Sequence, residues 1–159
     1  MFLTGRVLEV QFKASAHPCS TIGDMNTRLF IYGTLLPGLR LEAEMHGARF
    51  VGAAQVPGRL VDVGRYPGLL LGSPSGVGTV TGEVYEVDDA HLLRLDEVEG
   101  MLPGNRAASQ YWRVGLALVG GSLQGQQVQT YVYNLPVDGL APIAHGDYRR
   151  YIREVGRES

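Results

Sequence analysis

From Arg28 onward the chain is a succession of short runs rich in β-branched and aromatic residues: "LFIY", "RFVGAAQV", "GRLVDV", "GLLLG", "TVTGEVYEV", "YWRVGLALV" and "VQTYVYNL". Runs of this length with turn residues between them read as strands joined by hairpins. The glycines fall mainly between the runs, as in "SPSGVG" and "GGSLQG", where a tight reversal needs a residue free of a Cβ. The pattern predicts a mostly antiparallel sheet or barrel.

Three other segments carry helical signals, which makes the expected class α+β. "LRLEAEMHG" (Leu39 to Gly47) has good helix formers and a glycine suited to a C-cap. "DDAHLLRLDEVEG" opens on Asp88 or Asp89 as N-cap, aligns Leu92, Leu95 and Val98, and stops at Gly100. "GDYRRYIREVG" starts near Asp147 and aligns Tyr148, Tyr151, Ile152 and Val155. The 159 residues fit one domain. "MNTRLFIYGTL" makes a natural opening from Met25, so 25–159 is read as the domain and 1–24 as an N-terminal extension.

Charge narrows the partners. Net charge is −2, and 13 of the 14 basic residues are arginine, with Lys13 the only lysine. No basic tract suggests nucleic acid or an anionic membrane, and the arginines of "YRRYIREVGRE" alternate with Glu154 and Glu158 as on a solvated helix face. A small neutral or zwitterionic partner fits better. Cys19 is the sole cysteine, which suits a reducing compartment, and no apolar run approaches the ~18 to 20 residues of a membrane span. A cytoplasmic location is the default. With no heptad or large apolar stripe in view, a monomer or weak homodimer is expected.

Two stretches carry candidate chemistry. In "RLFIYGTLLPG", Arg28 to Gly38, an apolar strand runs directly into Gly33 and Thr34. A glycine there removes the Cβ and lets successive backbone N–H groups turn toward a common anion, such as a carboxylate. In "LDEVEG", Asp96, Glu97 and Glu99 crowd the end of a helix, where the macrodipole and the like charges both penalise ionisation and push carboxyl pKa values upward. One of them, buried in a cleft, becomes a group that takes up and returns a proton near neutral pH. A solvated acidic turn is the plainer alternative. The tyrosines Tyr66, Tyr85, Tyr111, Tyr131 and Tyr133, with Trp112, are read as core, one or two of them lining a pocket and using a hydroxyl there. His17, His46, His91 and His145 are scattered without ligand spacing, so no metal is expected.

Together, "FIYGTLLPG", "VPGRLVDVGRYPGLLLG", "VTGEVYEVDDAHLLRLDEVEG", "YWRV" and "TYVYN" resemble, in order and interval, the γ-glutamylcyclotransferase-like proteins, in particular the γ-glutamylamine cyclotransferase and AIG2-like branch. The resemblance covers nearly everything from Arg28 to about Leu135. It implies a compact mixed β-barrel with flanking helices, a pocket bounded by the YGTL loop, and conversion of a γ-glutamyl amine or γ-glutamyl amino acid to 5-oxoproline plus free amine, with no cofactor. Glu99 matches the family's catalytic acid/base. Tyr32, Gly33, Thr34 and Leu35 fall on its substrate loop, and Tyr66, Tyr111 and Tyr133 match aromatic positions near its pocket. Asp96 is expected to support the helix end or orient neighbours. Two stretches depart from the family pattern, residues 1–24 and "MLPGNRAASQ", the latter expected to border the pocket as a lid. A non-catalytic binding module on the same fold is the alternative, as is another amide-cleaving activity at the same carboxylate.

Overall fold

The computed structural model describes residues 26–72 and 78–157. The expected extension at 1–24 and most of the "SPSGVG" turn lie outside these residues. The described strands are β1 (Thr27–Ile31), β2 (Arg49–Pro57), β3 (Arg59–Asp62), β4 (Pro67–Leu70), β5 (Thr79–Val87), β6 (Tyr111–Ala117), β7 (Gly120–Gly121), β8 (Gln127–Tyr133) and β9 (Ala141–Ile143). Among the described residues there are two α-helices, α1 (Asp89–Val98) and α2 (Tyr148–Glu154).

The fold is α+β and mostly antiparallel. Six strands form one sheet in the order β6-β8-β1-β5-β2-β7, and β4-β3-β9 form a second. The first sheet ends on β6 and on the two-residue β7, which do not pair with each other, so the described strands make two open sheets rather than the closed ring of a barrel. The exception to antiparallel pairing is β1 with β8, where Leu29 stands opposite Gln129 and Phe30 opposite Thr130. Because β1 is central, Leu29, Phe30 and Ile31 are all buried, which explains an unbroken apolar run where a one-faced strand would alternate. Thr130 is fully buried beside them and satisfies its hydroxyl by donating to the Phe30 carbonyl at 3.0 Å.

The helix expected over Leu39–Gly47 is instead a chain of tight turns containing a short 3-10 segment, Glu42–Met45. Leu35, Leu36, Leu39 and Met45 are buried here while Glu42 is exposed, and the backbone closes in successive i→i+3 turns in place of the i→i+4 ladder of an α-helix. The bonds follow: Leu39 N–H to the Leu36 carbonyl, Glu42 to Leu39, and Ala48 to Met45.

Helix α2 is less of a free solvated face than its charge pattern suggests. Arg150 and Glu154 do form an i,i+4 pair at 2.7 Å, but Arg149 reaches across to Glu83. Beyond the helix, Arg157 grips both oxygens of Asp62 on β3, and the Tyr151 hydroxyl donates to the same carboxylate at 2.7 Å. Among the described residues no helix is long and apolar enough to cross a membrane.

Candidate active site

The C-terminal end of β1 opens into a cleft with about 310 Å³ of empty space, including its open mouth. Its floor is Phe30 and Ile31 from the strand and Tyr32, Gly33, Thr34 and Leu35 from the segment that follows. Tyr66 closes it from the turn before β4 and Pro67 from the first position of β4, Tyr111 from the start of β6, Tyr131 from β8, and Glu99 from the end of α1.

Gly33 has a packing reason to be glycine. A Cβ there would stand 2.8 Å from Pro67 Cγ and 3.0 Å from Cδ, closer than side chains approach without displacement. Its φ is not positive, so the need for glycine here comes from the pressing of Pro67 against the loop rather than from a left-handed backbone. Among the described residues the N–H groups of Gly33, Thr34 and Leu35 find no hydrogen-bond acceptor, while the Gly33 and Thr34 carbonyls accept from Leu36 and Leu41.

Three of the cleft's tyrosines have their hydroxyls committed to the protein. Tyr32 donates to the Tyr131 carbonyl at 2.6 Å and accepts from the Leu69 N–H at 3.3 Å. Tyr111 donates to the Pro67 carbonyl and Tyr131 to Asp96 Oδ1, both at 2.6 Å. Burial first, and the nearby Glu99 carboxyl among further causes, push all three phenols well above their ordinary value. Their hydroxyl protons are thus donated within the protein. Tyr66 packs edge to face on Tyr111, with ring centroids 6.1 Å apart, and accepts a hydrogen bond from Gln110 Nε2.

The three crowded carboxylates have three different environments. Glu97 is exposed. Asp96 is buried and gripped by Arg113 through Nε on Oδ1 and an Nη on Oδ2, both at 2.9 Å. Glu99 alone lines the cleft. It is partly covered, with protein packed around its carboxyl and one side open to the cavity. Burial, and secondarily the charge of Asp96, push its pKa from an ordinary 4.5 up to about 7. No hydrogen bond reaches its carboxyl among the described residues, where no buried side-chain polar atom lacks a partner, so the Glu99 oxygens open to the cleft.

Local sequence fixes that position. Asp88 caps the start of α1 by accepting from the His91 N–H at 2.8 Å. At the other end Gly100 takes φ +68°, its N–H bonds the Glu97 carbonyl, and the Met101 N–H bonds that of Asp96. This paired closure, a Schellman motif, leaves Glu99 as the C-cap residue directed at the cleft.

The structure thus brings Glu99, Tyr32, Gly33, Thr34, Leu35, Tyr66 and Tyr111 to one cavity. Tyr133 is not on its lining; it stands opposite Tyr111 on β8 and backs that ring edge to face at 5.4 Å. Phe30, Ile31, Pro67 and Tyr131 are lining residues that sequence reasoning did not assign to the site. "RYPG" and the alternation of Tyr131 with Tyr133 were the available signals for the last two. The 101–110 loop supplies none of the lining. It is braced internally by the buried Ser109, whose hydroxyl accepts from the Leu102 N–H and donates to the Asn105 carbonyl, and stands as a strut beside the cleft. Among the described residues no three His, Cys, Asp or Glu side chains gather as metal ligands.

Residues 29–150 match the family described as gamma-glutamyl cyclotransferase, AIG2-like. A gamma-glutamylcyclotransferase family protein of Escherichia coli K12, YtfP, is 33% identical over 129 residues, which span 76% of this chain and 95% of that one. The gamma-L-glutamyl-butirosin B gamma-glutamyl cyclotransferase of Niallia circulans is 35% identical over 127 residues, covering 77% of this chain and 76% of its own. Among solved structures, an AIG2-like protein from Mus musculus superposes with a TM-score of 0.60 at 28% identity, over 77% of this chain and 88% of that one. With its cleft in the same stretch of sequence that carries these likenesses, the chain belongs to the AIG2-like family of gamma-glutamyl cyclotransferase enzymes.

Proposed function

We propose that the cleft converts a γ-glutamyl amine or γ-glutamyl amino acid to 5-oxoproline and the free amine, with Glu99 as general acid/base. The observation that carries this reading is that Glu99 is the single carboxyl on the cleft wall, open to it and unpaired among the described residues.

The chemistry asks for one such group. The substrate's α-amine gives a proton to the Glu99 carboxylate and attacks its own γ-carbonyl carbon, forming the ring C–N bond. The tetrahedral intermediate then collapses, the original γ C–N bond breaks, and Glu99 returns the proton to the departing nitrogen. No water is consumed and no cofactor takes part. A carboxyl with a pKa near 7 is half ionised at neutral pH, and it matches the amine's proton far better than an ordinary glutamate does. Because ring closure is intramolecular, the pocket's main task is to hold a bent chain in an attack-ready conformer. In this reading the unpaired N–H groups of Gly33, Thr34 and Leu35 receive the α-carboxylate or the developing oxyanion. The aromatic walls Tyr32, Tyr66 and Tyr111, the last backed by Tyr133, exclude water.

The test is a mass-spectrometric screen for 5-oxoproline over a panel of γ-glutamyl amines and γ-glutamyl amino acids, run beside Glu99→Gln. Product from the wild type alone is expected. Equal product from Glu99→Gln removes Glu99 from the role, and product from neither, with ligand binding retained, removes the activity.

A further inference from the structure

The cross-strand register of β6 and β8 sets Arg113 directly opposite Tyr131. Both side chains therefore leave the sheet on the same face, and both end on Asp96. The Asp96 carboxylate is one helical turn from Glu99, and its side chain is only 6% exposed. A carboxylate in the last turn of a helix, facing the negative end of the dipole, is disfavoured there. A purely structural need at this position is met more cheaply by an apolar side chain, since a buried ion pair often gains little over well-packed apolar residues. The cluster is also wired to the cleft: Tyr131 lines it, and the Tyr131 carbonyl accepts the Tyr32 hydroxyl.

We propose that Asp96, held by Arg113 and Tyr131, is a positioning residue for Glu99, anchoring the end of α1 over the cleft and setting by its charge how tightly Glu99 holds a proton. The proposal rests on the acid/base reading of Glu99. Asp96 is the neighbour suited to this. From just after β1 and from β6 and β8 Glu99 is faced by Tyr32, Tyr111 and Tyr131, phenols whose protons are already donated elsewhere, and from the turn before β4 by Tyr66. Arg113 spends its guanidinium on Asp96 and Gln129, and Glu97 is exposed.

The experiment is an NMR titration of the Glu99 side-chain carboxyl in the wild type and in Asp96→Asn, with the pH profile of kcat/KM recorded on both. Removing the like charge lowers the Glu99 midpoint by about 0.5 to 1 pH unit, and the acidic limb of the profile moves down with it. An unmoved midpoint, or a loss of rate uniform across pH, overturns the proposal. Should Asp96→Asn not fold, Asp96→Asn with Arg113→Gln keeps a hydrogen-bonded neutral pair at the site and is compared with Arg113→Gln alone, so that the two differ only in the Asp96 charge; a lower Glu99 midpoint in the double variant is expected and its absence overturns the idea. The titration needs no turnover, so a wild type that makes no 5-oxoproline defeats the cyclotransferase reading while leaving this result to be read on its own.

Discussion

Asp96 and Glu99 sit three residues apart at the end of one helix, yet Asp96 accepts hydrogen bonds on both oxygens from Arg113 and Tyr131, while Glu99 accepts none among the described residues. One carboxylate is locked into the scaffold and the other is left for the cleft. Placing an unpaired, partly buried carboxyl beside a charged one costs stability, and that cost can be measured.

Folding raises the Glu99 pKa from 4.5 to about 7. Below the lower value both folded and unfolded chains carry the proton, so the group has no effect. Between the two values the unfolded chain ionises first, and stability falls as pH rises through this window until the loss is complete above about 7. Glu99→Gln, which cannot ionise, is therefore expected to match the wild type at about pH 4 and to exceed it by roughly 1 to 3 kcal/mol at about pH 8. Urea unfolding at the two pH values checks this; a gain equal at both would place its origin outside ionisation.

At Gly33 the prediction follows from the Pro67 ring. Gly33→Ala sets a Cβ 2.8 Å from Pro67 Cγ, and the strain of displacing one or the other is expected to cost about 1 to 3 kcal/mol and to lower kcat/KM by moving the cleft floor. Pro67→Ala in the same chain relieves the clash. A double-mutant cycle in thermal unfolding should then show the two changes to be coupled; simple additivity would mean that the loop, not the ring, had been carrying the strain.

Local signals made much of this legible. Asp88 and Gly100 bracket α1 in the sequence as they do in the structure, because caps are chosen by residues within a turn of one another. Non-local relations were not legible. The parallel pairing of Leu29 with Gln129 depends on how the chain returns after 100 residues, and the grip of Arg113 on Asp96 depends on a register between β6 and β8 that no window of sequence contains. Helical composition over Leu39 to Gly47 misled because the packing of Leu36, Leu39 and Met45 into the core, through turns closed by i→i+3 bonds, outweighed propensity. β9 was missed since Ala141–Ile143 is too short to carry a pattern.

Gly100 and Gly156 allow a controlled comparison. Both end helices in the same closure, at φ +68° and +69°, and alanine at either should cost about 1 to 2 kcal/mol of backbone strain. Only Gly100 precedes the 101–110 strut, with its added Cβ 3.3 Å from Gln110, and only it orients Glu99. Gly100→Ala should therefore lose kcat as well as thermal stability, while Gly156→Ala loses stability alone. Equal kcat in the two variants would detach the helix closure from catalysis.

The final prediction separates a wall from a reacting group. The Tyr111 hydroxyl faces the Pro67 carbonyl at 2.6 Å, and burial drives its pKa far above the ordinary tyrosine value. A phenol held this way has no proton to exchange with substrate, and its deprotonated form is out of reach. Tyr111→Phe keeps the ring that packs between Tyr66 and Tyr133 but strands the Pro67 carbonyl, which should cost about 1 kcal/mol of stability. The rate should fall by no more than about tenfold, since the ring still holds the cleft wall, whereas loss of a true acid/base costs about 10² to 10⁴. A loss in that larger range with thermal stability unchanged would transfer the proposed proton chemistry from Glu99 to Tyr111, and leave the single carboxyl of the cleft lining without a role.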